Sequence, residues 1–350
     1  MALTVRADLA NLPDYIPGRK IPGAVVLSSN EVSTPAPAAV LAAIADAAAD
    51  VNRYPQMAND DLLVRTSEYV GVPQDRLAIG CGSVSLCQQL IQAMCAEGHQ
   101  VVFAWRSFEA YPIVTQIVGA EAVRVPLTED YRHDLDGMLA AITDDTRVVF
   151  VANPNNPTGT GLRTAELERF LDAVPDHVLV VLDEAYREFV TDPDLPDGLE
   201  LAAGRENLAV VRTFSKAYGL AGLRVGYAVA PPEVTAAVRK VAIPFAVNRL
   251  AQAAAVAAMD AAEELLSRCA PVTRERERVR GELVDMGYEV PESQANFVWL
   301  PLGERTAAFN DHLLAQKVVI RAFLGEGARV TIGLPEENDA FLAAARTFDR

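Results

Sequence analysis

Cysteine and histidine are scarce in this chain of 350 residues, four of each. Cys81, Cys87, Cys95 and Cys269 form no CxxC pair, which excludes a disulfide framework and points to reduced thiols in a cytoplasmic setting. His99, His133, His177 and His312 show no HxxxH or HExxH spacing, so no metal is expected. Positive charge is also short: 31 basic residues stand against 47 acidic ones, for a net charge of −16. That excludes the basic footprint of a nucleic-acid binder and the polybasic face of a membrane-surface protein. No apolar run approaches the ~20 residues of a membrane helix. The stretch from Met1 to Lys20 has no continuous apolar core of a secretion signal. No internal repeat, linker or low-complexity tract stands out beyond an alanine bias.

What is present is apolar mass. Hydrophobic residues make up 51% of the chain, enough for a sizeable core and against disorder. At roughly 100–200 residues per domain, the length suggests two domains. Short continuous apolar runs recur at 101–103, 122–125, 148–152, 178–182, 208–212 and 225–230. Continuous rather than alternating runs are what strands buried on both faces look like. Helical patterns at 84–96, 165–174 and 232–241 separate them. The expected fold is α/β, with a mostly parallel mixed sheet in a large domain over 45–240. Residues 1–44 and 241–350 are expected to form a smaller α+β domain with an N-terminal arm. It would hold strands near 296–300, 318–321 and 328–333 and one Ala-rich helix over 246–266. The run Thr273–Arg280 reads as a solvated helix face, with Glu275/Arg278 and Glu277/Arg280 one turn apart.

Five segments could carry chemistry. Gly80-Cys-Gly-Ser-Val-Ser85 precedes a helix pattern, where backbone N–H groups can meet an anion. It is not GxGxxG, and taken alone it reads better as a plain strand-to-helix turn. Asn153-Pro-Asn-Asn-Pro-Thr-Gly159 is a rigid, amide-rich loop at a strand end, either a turn or the edge where α/β sheets bind ligands. Asp183 follows an apolar strand, as a helix cap or as counter-ion to a cationic ring nitrogen, with Tyr186 three residues on. Lys216 sits just after another strand in a small, apolar setting that favours Schiff-base chemistry. Thr213, Ser215 and Arg224 beside it suit a phosphate. Arg321 and Arg329 lie in strand-like runs and would either pair with an acid or bind a carboxylate.

A lysine for a Schiff base, an acid for a pyridinium nitrogen and a phosphate cup are what pyridoxal phosphate requires. On that reading Asp183 keeps the ring nitrogen protonated, and Tyr186 and Asn156 hold the ring 3-oxygen. Lys216 links to the cofactor and then moves the proton between Cα and C4′.

At these residues the chain resembles the fold-type I pyridoxal-phosphate aminotransferases, in the histidinol-phosphate aminotransferase branch, over nearly its whole length. Gly80–Gln89, Trp105–Pro112 and Ser293–Trp299 are similar to the actinobacterial aromatic amino acid aminotransferases of that branch. The resemblance implies that Phe108 stacks on the cofactor ring and that Ser83 and Val84 give N–H groups to its phosphate. It implies that Tyr54 reaches the phosphate of a neighbouring subunit, hence a homodimer. Arg329 would bind the substrate α-carboxylate, and Asn30-Glu31 would lie near the substrate. Tyr15 and Arg321 match positions that hold the substrate phosphate in histidinol-phosphate enzymes. Gly80–Ser85 lacks the acidic residues many relatives carry there, and Phe108 lacks the hydroxyl of the more frequent tyrosine.

The expected activity is ping-pong transfer of an amino group between aromatic L-amino acids (Phe and Tyr, with Trp as a further candidate) and 2-oxoglutarate. Histidinol-phosphate transamination is the nearest alternative. A pyridoxal-phosphate decarboxylase on the same fold is a more distant one.

Overall fold

The computed structural model describes residues 21–349, so Tyr15 lies outside the described residues. The strands are β1 (Val25–Leu27), β2 (Leu77–Gly80), β3 (Gln100–Trp105), β4 (Glu121–Pro126), β5 (Thr146–Ala152), β6 (Leu179–Asp183), β7 (Leu208–Thr213), β8 (Gly226–Val229), β9 (Phe297–Leu300), β10 (Val318–Phe323) and β11 (Gly327–Thr331). They form two sheets. The larger runs β2-β8-β7-β6-β5-β3-β4, and the smaller β1-β10-β11-β9.

The apolar runs are continuous because both faces of the large sheet are covered. Val149, Val151, Val180, Leu182 and Val210 point into one core. Their alternates Val148, Phe150, Leu179, Val181, Ala209 and Val211 point into another. Successive side chains leave a strand on opposite faces, so a strand buried on both must be apolar at every position. Burying each such side chain contributes about 1.5–3 kcal/mol.

β8 alone runs against its neighbours in this sheet, pairing antiparallel with both β2 and β7. Its beginning therefore lies at the edge where the other strands end. Gly226 is in register with Gly80, the last residue of β2, and with Thr213, the last of β7. That reversal brings Arg224, just ahead of β8, to the carboxyl edge of the sheet.

In the small sheet β1 runs parallel to β10, and β10, β11 and β9 are antiparallel in turn. β1 is too short to have shown a pattern in the sequence.

Two expectations need correction. The Ala-rich stretch is two helices, Arg249–Asp260 and Ala262–Ser267. Alanine does not break helices; packing imposes the bend. Ala251, Ala254, Ala255 and Ala258 bury one small-residue face, and the turn at Ala261 lets Leu265 reach the same core. The run Thr273–Arg280 is not a wholly solvated face. Arg276 is fully buried in helix Cys269–Asp285. Its Nη1 donates to the carbonyls of Phe189 and Ala295, both at 3.1 Å, and its Nη2 to Thr191 Oγ1 at 3.0 Å. Glu275 does pair with Arg278. Glu277 pairs instead with Arg276, and Arg280 donates to the Val290 carbonyl. Among the described residues no helix is long and apolar enough to cross a membrane.

Candidate active site

A cavity of about 420 Å³ opens between the carboxyl edge of the large sheet and one face of the small one. Most of its polar lining is delivered by strand ends, where ligands of α/β sheets bind. β2 ends at Gly80, and a two-residue turn leads into helix Ser83–Met94. The first N–H groups of a helix have no partner within it, and Ser83 and Val84, which open this helix, line the cavity. Gly82 has φ +79°, and a Cβ there would collide with the Arg224 guanidinium. The glycine thus lets the arginine lie against the turn. Arg224 Nη1 donates to Ser215 Oγ at 3.2 Å, and Ser215 N donates to Thr213 Oγ1 at 3.1 Å. Ser83, Val84, Thr213, Ser215 and Arg224 all line the cavity, an arrangement whose donors could hold an anion.

The loop after β5 splits its three asparagines by role. Asn153 clamps Leu162 through both its side-chain oxygen and nitrogen. Asn155 accepts from Ser107 Oγ at 2.8 Å and donates to Thr158. Asn156 alone faces the cavity.

Asp183 is the last residue of β6 and 5% exposed. Tyr111 donates its hydroxyl to Asp183 Oδ2 at 2.7 Å, and Ala185 N donates to Oδ1 at 3.2 Å. Tyr111 is itself fixed by stacking on Phe150, centroids 4.5 Å apart. Burial still raises the Asp183 pKa, against the lowering pull of those two donors and of Lys216. A carboxylate so placed calls for a cation. Lys216 Nζ donates to the Ser29 carbonyl at 3.0 Å. Burial, then the charge of Arg329, lowers its pKa to about 7, with Arg224 adding to the effect and Glu31 and Asp183 opposing it. An amine that gives up its proton near neutrality is a nucleophile and a proton carrier.

The small sheet supplies two guanidiniums. Arg321 on β10 and Arg329 on β11 are direct register partners. Like charges placed opposite on a sheet repel; Arg321 is countered by a carboxylate from the facing wall, and Arg329 by two neutral oxygens. Arg321 Nη2 lies 2.8 and 3.0 Å from the two oxygens of Glu109, and Arg321 Nε lies 3.2 Å from Oε2. Arg329 Nη1 donates to Asn156 Oδ1 at 2.5 Å, and Nη2 to the Ser28 carbonyl at 2.6 Å. Asn30, fully buried with φ +55°, donates to the Tyr186 hydroxyl at 2.9 Å. Its backbone N and Oδ1 both meet Thr331 Oγ1.

Residues 22–345 match the family model described as aminotransferase class I and II. The chain belongs to the class I and II aminotransferases. It is 58% identical over 345 residues to the aromatic amino acid aminotransferase of Rhodococcus jostii (strain RHA1), covering 99% of this chain and 96% of that protein. It is 55% identical to the protein of the same name from Thermobifida fusca (strain YX), covering 99% and 97%. Among solved structures it is similar to histidinol-phosphate aminotransferase from Sinorhizobium meliloti in complex with pyridoxal-5'-phosphate. There the TM-score is 0.85 and the identity 31%, covering 92% of this chain and 89% of that one. The fold is that of the fold-type I enzymes.

In this aminotransferase the expected site residues converge. Ser83, Val84, Phe108, Asn156, Asp183, Tyr186, Thr213, Ser215, Lys216, Arg224, Asn30, Arg321 and Arg329 all line the one cavity. Tyr54 does not line it; it is 78% exposed and stacks on Phe245 at 4.6 Å. The donor set fits pyridoxal phosphate: an anion cup at one end, a buried carboxylate short of a cation in the middle, a near-neutral lysine between. Sequence reasoning missed Tyr111, Glu109 and the Ser28 and Ser29 carbonyls. Only Tyr111 had a signal, since a buried Asp183 demands a donor and an aromatic hydroxyl follows Phe108 by three residues.

Proposed function

We propose that this aminotransferase uses pyridoxal phosphate to move an amino group between aromatic L-amino acids and 2-oxoglutarate, in two half-reactions that share one site. The observation that carries the reading is the near-neutral Lys216 set between the buried Asp183 and the Arg329 guanidinium. When bound, the cofactor supplies a protonated ring that draws electrons from the substrate Cα.

The residues divide the work. Ser83 and Val84 N–H groups, Thr213, Ser215 and Arg224 hold the phosphate. Asp183 keeps the proton on the ring nitrogen, with Tyr111 fixing the carboxylate. Tyr186 and Asn156 face the ring 3-oxygen, and Phe108 covers the ring. Arg329 grips the substrate α-carboxylate in a fork and turns the Cα–H toward Lys216. Lys216 Nζ, neutral above about pH 7, takes the Cα proton and returns it at C4′. Phe108 and Phe323 give the side-chain end of the cavity apolar walls, which suits a phenyl ring, and the relatives at 55–58% identity carry the aromatic name.

Tyr54 of the partner subunit completes the phosphate cup in this reading. It is supported by the exposed apolar group of Val51, Tyr54, Met57, Ile243 and Phe245, which a second copy would cover. The same reading takes 45–240 as the cofactor-binding domain and 1–44 with 241–350 as the smaller one, in a cytoplasmic enzyme.

Histidinol phosphate is the second reading, favoured by Arg321 at the side-chain end and by the solved relative. A steady-state comparison with glutamate as donor decides: kcat/KM for phenylpyruvate is expected to exceed that for imidazole acetol phosphate. The reverse order would make the phosphate ester the substrate. Release of carbon dioxide without keto acid would instead mean a decarboxylase.

A further inference from the structure

We infer that Glu109 sets the charge accepted at the side-chain end of the substrate cavity. By closing on Arg321 it makes that end electrically neutral. The pocket then takes an aromatic ring or one distal carboxylate and refuses a phosphate dianion. The inference rests on the aminotransferase reading above and names the residue that selects among its substrates.

Arg321 and Arg329 face each other across β10 and β11. Arg329 meets an amide oxygen and a backbone carbonyl, whereas Arg321 meets a carboxylate through both Nε and Nη2. Glu109 comes from the other sheet. It directly follows Phe108 in the loop after β3 and precedes helix Ala110–Val118, to which its side chain makes no capping hydrogen bond. The pair therefore bridges the two walls of the cavity, and both residues line it. Their side chains keep 19% and 31% exposure, so a ligand anion can reach the guanidinium and compete with Glu109.

The neighbourhood repeats the pattern. The Phe323 ring lies 5.7 Å from the Arg321 guanidinium and 5.3 Å from that of Arg106. Arg106 is itself paired with Glu326 through Nε at 2.7 Å. Phe323 lines the cavity beside Arg321, while the Arg106–Glu326 pair lies on the ring from outside the lining and adds no net charge there. A carboxylate that displaces Glu109 leaves one negative charge loose beside it. A phosphate dianion in the same place brings a second. Selectivity through such a repulsive element is a difference of affinities, not a new attraction.

The test uses holoenzyme and three unreactive acids that share one carboxylate for Arg329: phenylpropionate, glutarate and 4-phosphonobutyrate. Glutarate and 4-phosphonobutyrate have the same carbon spacing and differ in the distal group. Inhibition constants are measured at about pH 9, because an alkyl phosphonate loses its second proton at higher pH than a phosphate ester and is mostly a dianion there. In Glu109→Gln the affinity for 4-phosphonobutyrate relative to phenylpropionate is expected to rise roughly tenfold, with a smaller rise for glutarate. The gain should shrink with added salt and vanish in the Glu109→Gln, Arg321→Gln double variant. Glu109→Ala repeats the measurement should the glutamine variant fold poorly. A ratio that stays within about twofold of the parent overturns the inference. So does equal weakening of all three acids, which would mark Glu109 as merely structural. A parent enzyme that already prefers the phosphonate to phenylpropionate would count against the aromatic reading itself, whatever Glu109 does.

Discussion

The carboxyl edge of the seven-stranded sheet and the face of the four-stranded sheet line the same cavity by different means. At the edge, each polar residue sits at or just past the end of its own strand: Asp183 closes β6, Thr213 closes β7, and Ser83 opens the helix after β2. Position along the chain nearly gives position in space. On the smaller sheet the arginines are placed by pairing. Arg321 and Arg329 come together only because a short hairpin sets β10 against β11. The edge presents buried carboxylates and amides, and the face presents guanidiniums. Glu109 and Asn156, both from the edge, meet Arg321 and Arg329 from the face. Arg321 thus meets a carboxylate and Arg329 an amide oxygen from the facing wall, so the two sheets are joined across the cavity by polar contacts.

That contrast can be broken at either side. The largest effect is expected at the edge: Lys216→Ala should lower turnover by roughly 10⁴-fold or more and remove the visible band of lysine-bound cofactor. Retained transamination in that variant would end the mechanism. Asp183→Asn should cost roughly 10²–10⁴-fold in kcat in single-turnover assays, because the amide holds no ring-nitrogen proton. On the face, Arg329→Leu should cost about 100-fold in kcat/KM for every substrate, since all share the α-carboxylate. Arg321→Leu should change the dicarboxylate half-reaction alone; equal losses on aromatic substrates would erase the difference between the two arginines. Tyr111→Phe removes a hydrogen bond to a buried charge worth about 1.5–3 kcal/mol, and kcat should fall roughly tenfold.

The smallest effect is in pH. The folded Lys216 ammonium gives up its proton near 7, and an unfolded one near about 10.4. Between these values the unfolded chain binds more protons. The cofactor-free protein should therefore gain stability as pH rises through that window, with the penalty fully present below about 7. Capture of the aldehyde cofactor should quicken through about pH 7 and then level off. Arg329→Leu should move that midpoint upward, because the Arg329 charge lowers it. A midpoint that did not move would separate the lysine from the small sheet.

Much of the large sheet was legible because its chemistry is local. A strand buried on both faces has to be apolar throughout, and the residue that ends it has to be polar where the ligand sits. Asp183 and Lys216, at and just past the ends of β6 and β7, were readable for that reason. Among the three amides of one loop the sequence reading chose Asn156, and the clamps of Asn153 to Leu162 and of Asn155 to Thr158 show why the other two do not line the cavity. Glu109 carried no signal, because its partner lies 212 positions away on another sheet. Arg276 misled, since a charged run on a helix reads as solvated until three oxygens from two distant loops close over one member of it. The bend at Ala261 was hidden for the opposite reason: alanine favours the helix that packing interrupts.

Local chemistry alone thus decides the strand pattern of the α/β body, the turn that frees the N–H groups of Ser83 and Val84, and the lysine and aspartate that follow buried strands. These depend on a residue and its immediate neighbours, through burial, backbone freedom and the cost of an unpaired charge. The register of β10 with β11, the reversed β8 that delivers Arg224 to the cup, and the closing of Glu109 on Arg321 depend on contacts between residues far apart in the chain. Only the packed molecule sets those, because the electrostatic energy of a charge is fixed by what stands a few ångströms away in space, whatever its place in the sequence.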